Sequence, residues 1–203
     1  MTFYSLSEGG MDEVYLDWDL YVRTPRDFEP PSHWYMETSS IQAEYVPLTI
    51  RCGRTTMKFP DFLSYGSLHF LSDRFRNLAS QLGDINAEFL PVTLLAKSGK
   101  TASLNPYWCI HFLEKPDCIA HEESDIEFWS PRRQVIKGIK KLAFDASKVG
   151  PRPLFMTFGL GMVFVSEPLA ERVQTSNLHI TLTPLARVRL GAIGLEASAS
   201  RSQ

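Results

Sequence analysis

The stretch Leu68–Leu95, LHFLSDRFRNLASQLGDINAEFLPVTLL, decides the fold class. Ser72 is suited to cap a helix, because its hydroxyl can accept a bond from an orphan N–H of the first turn. Asp73 follows, where a negative charge suits the positive end of the helix dipole. Phe75, Leu78, Ala79 and Leu82 recur at the spacing of one helical face. Arg74, Arg76, Asn77 and Gln81 fall on the other face. Gly83 is placed to supply the left-handed residue that commonly closes a helix. The chain restarts as an apolar run, Phe89–Ala96, whose Pro91 cannot donate to a ladder. That proline predicts a strand lying at an edge or carrying a bulge there.

Toward the N-terminus the pattern weakens. Phe3–Leu6 predicts a short strand closed by Gly9-Gly10, and Tyr45–Cys52 a second strand. Val14–Val22 reads as a strand or as a loop against the core. Arg23–His33, rich in Pro and charge, reads as a surface connection, and Lys58–Tyr65 as a loop or short turn. Toward the C-terminus, Ser98-Gly99-Lys100 is a turn and Tyr107–Leu113 returns as a strand. Glu114–Trp129 is a polar, acidic excursion. Val135–Ile139 and Lys141–Phe144 look like strand material broken at Gly138. Gly150-Pro151 marks a turn. Leu154–Phe158 and Met162–Val165 read as two strands of a hairpin joined through Gly159-Leu160-Gly161.

One pattern occurs twice. FVSEPLAERV at Phe164–Val173 parallels FLSDRFRNLA at Phe70–Ala79: two apolar residues, a serine, an acid, then a helical pattern. Pro168 falls in the first turn, where proline is tolerated. A strand containing a proline follows each, Pro91 in one and Pro184 in the other. Either the unit is duplicated, or two strand–helix–strand units are independently capped. The expected class is α+β, a mostly antiparallel sheet with a few helices packed on it. Residues 1–66 are expected to be a low-periodicity part of the same domain, 67–190 its core, and 191–203 a flexible tail.

Composition excludes several functions. The formal net charge of -2 provides no global basic field for nucleic acid. The basic cluster Arg132, Arg133, Lys137, Lys140 and Lys141 directly follows the acidic excursion, so the local field largely cancels, and these residues read as a solvated strand edge. No apolar run reaches the roughly 20 residues of a membrane helix. The first residues, MTFYSLSEGG, lack the basic start and apolar core of a signal peptide. Three cysteines form no disulfide framework, so a cytoplasmic protein with reduced thiols is expected.

Chemistry-bearing motifs are sparse. There is no G-x-S-x-G elbow and no Walker loop. Cys109-x-His111 and Cys118-x-x-His121 would form a tetrahedral zinc site if the chain turned back at Lys115-Pro116. The C-x-H spacing is not a usual zinc arm. The other reading puts Cys109 in the core and the histidines in loops or on the sheet surface.

Four features, in order, carry a resemblance. They are the serine-capped helix at Leu71-Ser72-Asp73; the Phe89-Leu90-Pro91-Val92 strand; Asp117-Cys118-Ile119 followed by Glu122-Glu123-Ser124; and the Leu154-Phe155 strand running into Phe164-Val165-Ser166-Glu167. Over Leu71–Pro184 the chain resembles immunity-protein family eleven of bacterial polymorphic toxin systems. It departs from the family at Ser176-Asn177-Leu178, where a glycine is usual, and the first 60 residues carry no matching motif. The resemblance implies a non-enzymatic protein that binds and neutralises a cognate toxin, with no catalytic residue, metal or cofactor. A small zinc hydrolase built on the Cys/His cluster is the alternative.

Fast capture of a toxin favours electrostatic steering. The densest acidic stretch is Glu122-Glu123-Ser124-Asp125-Ile126-Glu127, ending in Phe128-Trp129. Glu122, Glu123, Asp125, Glu127 and Trp129 are therefore the expected partner-binding residues, since acids steer and tryptophan is enriched among interface hot spots. The competing reading is a solvated acidic loop that Phe128 and Trp129 pin to the core.

Overall fold

The computed structural model describes residues 2–8, 38–43, 45, 47–51, 60–65, 68–95, 100, 101, 106–130 and 135–185. Val14–Val22, Arg23–His33, the Ser98-Gly99 turn and the 191–203 tail lie outside the described residues.

The helix read from Ser72 onward forms as α1 (Asp73–Ser80), and the Ser72 hydroxyl accepts the Phe75 N–H at 3.2 Å. Phe75 and Ala79 are buried, while Leu78 and Leu82 pack half-buried against the same core. The helix end differs from expectation. Gln81 and Leu82 direct their N–H groups back to the Asn77 and Ala79 carbonyls. Gly83 has φ +157°, far from the left-handed helical value. Its glycine identity serves close approach instead: a Cβ there would sit 3.3 Å from the Pro151 carbonyl oxygen and 3.4 Å from the Pro153 ring.

Strands surround this helix. In chain order they are β1 (Phe3–Glu8), β2 (Leu48–Arg51), β3 (Phe62–Tyr65), β4 (Leu68–Ser72), β5 (Ala87–Leu95) and β6 (Tyr107–Phe112). Then come β7 (Asp125–Ser130), β8 (Val135–Lys141), β9 (Leu154–Met156), β10 (Val163–Ser166) and β11 (Ile180–Pro184). Helix α2 (Ala146–Val149) follows β8, and α3 (Glu167–Thr175) follows β10. One sheet has the order β2-β5-β6-β4-β3, antiparallel except for β2 against β5; a second, wholly antiparallel, is β11-β1-β10-β9. Strands β7 and β8 form a separate hairpin. The class is α+β, as the sequence predicts.

The twofold sequence pattern has a topological counterpart. The β3–β4 hairpin leads into α1 and then β5, with β6 inserted between β4 and β5. The β9–β10 hairpin leads into α3 and then β11, with β1 inserted between β10 and β11. Both helices drop their apolar faces into one central core. Phe75 and Ala79 meet Leu169, Ala170 and Val173 there, with Leu71, Ile110 and Phe112 from one sheet and Leu154, Val163 and Val165 from the other.

Two further cores occupy the opposite sheet faces. Leu48, Leu63, Phe70, Leu90 and Tyr107 pack with Ile41 on the five-stranded sheet. On the four-stranded sheet, Phe3, Phe155 and Phe164 are covered by Ile136 and Ile139 of the β7–β8 hairpin, with Cys118 and Leu160. Phe144 completes an aromatic cluster there, meeting Phe164 edge-on at 4.8 Å between centroids.

Three details correct or refine the sequence reading. Lys58–Tyr65, expected as a loop or turn, contributes β3 from Phe62 onward. Its Asp61 is buried because it is fully partnered: the carboxylate accepts the Ser72 hydroxyl at 2.5 Å and the His179 N–H at 2.8 Å. The expected break at Gly138 is a register irregularity within a continuous β8, where Gly138 faces Glu127. Pro91 lies just before β2 joins β5 at Val92, so β5 has one strand partner at that point, and the Pro91 carbonyl accepts the Tyr45 hydroxyl at 2.8 Å.

Candidate functional site

The Cys/His foursome is dispersed. Cys109 lies in the core on the five-stranded sheet, and burial pushes its thiol pKa up to about 12, against the opposing pull of the His69 backbone. His111 is buried, with Nε2 2.8 Å from the Ser39 carbonyl oxygen. Cys118 belongs to the different core beneath the β7–β8 hairpin, and burial raises its pKa also. His121 is exposed in a turn. Among the described residues, no group of three or more His, Cys, Asp or Glu side chains is placed to hold a metal. Burial thus keeps the Cys109 thiol protonated, and a protonated thiol is a poor nucleophile.

The acidic excursion is a pinned segment with exposed charges. Cys118 and Ile119 are buried, and Ile119 bridges to Phe144. The Asp145 N–H donates to the Cys118 carbonyl at 2.8 Å, and the Ala120 N–H to the Ala143 carbonyl at 2.9 Å. Ser124 closes the segment, its hydroxyl accepting the Ala143 N–H at 3.0 Å. Between these ties the chain turns, the Glu123 N–H reaching the Ala120 carbonyl at 3.1 Å. Glu122 and Glu123 stand exposed on that turn.

Along β7 the faces alternate as a strand requires. Ile126 and Phe128 turn toward the core, and Asp125 and Glu127 are exposed. Glu127 is ion-paired with Lys137 at 2.5 Å, and that hydrogen bond holds its carboxyl below the usual carboxylate range. Asp125 stands opposite Lys141 in the ladder. Trp129 is in β7, but its side chain lies outside the described residues, as do Arg132 and Arg133. Of the five expected partner-binding residues, Glu122 and Glu123 thus stand exposed on the turn, whereas Glu127 is ion-paired with Lys137.

A feature the sequence reading passed over adjoins this segment. Phe158, in the β9–β10 connection, is 55% exposed, whereas the other large apolar side chains described are at least partly buried. The signal available was an aromatic directly beside the glycines of a turn.

Comparison with known proteins returns one result at the family level. The model of an immunity protein family, Imm11, matches residues 21–182. No curated protein matches the chain. The family match begins well ahead of Leu71, taking in N-terminal sequence in which no short motif is recognisable. Since it spans most of the chain, this protein belongs to the Imm11 immunity protein family.

Proposed function

We propose that this chain is the cytoplasmic immunity partner of a bacterial polymorphic toxin, and that it neutralises the toxin by forming a complex rather than by chemistry. The observation that carries the reading is the family match over residues 21–182. Two structural facts support it. The cysteines Cys109 and Cys118 are buried thiols with raised pKa values, a poor basis for catalysis. The conspicuous exposed feature of the Glu114–Trp129 excursion is charge held on a tied-down turn, which suits recognition.

The proposed toxin-facing residues are Glu122, Glu123, Asp125, Glu127 and Trp129. Many toxins act on anionic substrates and carry basic active-site surroundings, so an acidic surface complements them and raises the association rate. Glu122 and Glu123 contribute most of this steering, and Glu127 least, because Lys137 offsets it.

The test is to search the neighbourhood of this chain's gene for a toxin with a toxic C-terminal domain and to co-express that domain with the chain. Growth should be restored by the chain and by its Cys109→Ala and Cys118→Ala variants that fold. Continued toxicity in the presence of abundant folded chain would overturn the reading.

A further inference from the structure

Strand β11 is the accessible edge of the four-stranded sheet. All five of its residues, Ile180–Pro184, are half-buried, whereas Leu154, Phe155 and Met156 of β9, at the other edge, are buried. The edges of the five-stranded sheet are partly closed. Leu48 of β2 gives its N–H to the Tyr45 hydroxyl at 3.2 Å, and Phe62 and Leu63 of β3 are buried.

Backbone groups along an antiparallel strand point alternately to its two sides. The Ser166 N–H donates to the Pro153 carbonyl, on the β9 side, at 3.0 Å. Val165 therefore faces β1, and its partner Tyr4 faces β10. Pro184, the partner of Tyr4 in β11, then faces away from β1. His179 agrees with this phase. It exchanges bonds with Asp61, beside β1, donating to the carboxylate at 2.8 Å and accepting the Asp61 N–H at 3.0 Å. Thr181 and Thr183 thus turn their backbone groups inward to Ser7 and Ser5, while Ile180, Leu182 and Pro184 turn theirs outward. Among the described residues no strand pairs with that outward side.

Open edges are commonly blunted by charged side chains or bulges. This one carries no charge, and only Pro184, at its end, lacks a donor. Ile180 and Leu182 bring the apolar central core out to the rim. A row of backbone donors and acceptors beside aliphatic side chains is matched by another extended chain. Pro184 tells against a second copy in that role. Pairing two β11 strands antiparallel brings two prolines to the new ladder, one toward each end, where a strand of different sequence brings its own donors.

We propose that an extended segment of the toxin adds to the outward edge of β11 as a further strand, with apolar residues in line with Ile180 and Leu182. This rests on the toxin-binding reading above. Backbone pairing supplies the affinity, and the alternating side chains supply the selectivity.

The experiment is residue-resolved amide hydrogen exchange on the full chain, free and mixed with the toxic domain found by the gene-neighbourhood search. The Thr181 and Thr183 amides, bonded to β1, should exchange slowly in both states. The Ile180 and Leu182 amides should exchange fast in the free chain and roughly 100-fold more slowly in the complex. Leu182→Pro removes one outward donor and should weaken binding about 10-fold or more, while Leu182→Val should bind like the unmodified chain. Slow exchange at Thr181 and Thr183 reports that each variant keeps its β1 ladder. If a complex forms while Ile180 and Leu182 exchange as in the free chain, the edge is refuted and the toxin-binding reading stands. If the toxic domain does not bind, both fall. Protection of the two amides in the free chain would overturn the proposal. Protection that grows with concentration would assign the edge to pairing between copies, and protection at every concentration would mean that the edge is already filled.

Discussion

The β4–α1 and β10–α3 junctions look alike in sequence and differ in what their serines do. Ser72 and Ser166 both end a buried strand, and each is followed by an acid and a helix. Ser72 accepts the Phe75 N–H and donates to the buried Asp61, which in turn holds the His179 N–H. Ser166 makes no side-chain capping bond. Pro168 in the first turn removes one donor that would need a partner, and Glu167 reaches the Thr2 N–H at 3.2 Å. The same punctuation thus carries a buried polar network in one unit and little energy in the other. The strands differ too. Three residues before the serine, the first unit has His69 and the second has Val163, both buried.

The largest effect should be common to both units. Phe75 and Leu169 occupy equivalent positions, are both fully buried and meet in the central core. Phe75→Ala should cost roughly 3–5 kcal/mol and Leu169→Ala roughly 2–5 kcal/mol in urea unfolding. A value below about 1 kcal/mol at either site would break the equivalence.

Next comes a pH dependence that belongs to the first unit alone. His69 stacks on Phe62, and among the described residues neither ring nitrogen has a hydrogen-bond partner of good geometry. Burial lowers its pKa from 6.5 to about 4, with the nearby Gly161 backbone pulling the other way. In the folded state the imidazole stays neutral, while the unfolded chain takes up a proton below about 6.5. The stability tied to neutral His69 is therefore fully present above about pH 6.5 and lost as pH falls toward 4. The loss should be on the order of 3 kcal/mol. His69→Phe should flatten that part of the profile, and Val163→Leu should leave it unchanged. Equal profiles for His69→Phe and the unmodified chain would contradict the assignment.

Smaller effects separate the serines. Asp61→Ala leaves the Ser72 hydroxyl and the His179 N–H without their acceptor and should cost about 2–3 kcal/mol. Ser72→Ala should cost about 1–2 kcal/mol, and Ser166→Ala under about 0.5 kcal/mol. Equal costs at Ser72 and Ser166 would mean that the bonded and unbonded caps are energetically the same.

Local features were legible in the sequence. The α1 period, the serine before it, the glycine-rich β9–β10 turn and the proline at the open part of β5 all follow from interactions within a few residues. What escaped depended on distant partners. Pro60-Asp61 reads as a turn because a carboxylate looks exposed. It is buried only because Ser72 and His179, the latter 118 residues away, receive it. The acids of the candidate site were visible, but the pairing of Glu127 with Lys137 depends on an irregular register that no local pattern encodes. Phe158 passed as strand material because its exposure is set by what lies over the turn, and spacing carries no record of that.

The central claim is that this immunity protein works by binding. It is tested most directly by titrating the purified chain into its cognate toxin while the toxin's own activity is followed. Binding predicts a loss of activity that ends at a fixed molar ratio, holds steady with time, and is reversed when the complex is separated. Progressive inactivation by substoichiometric amounts of chain, or a chemically altered toxin after separation, would contradict it.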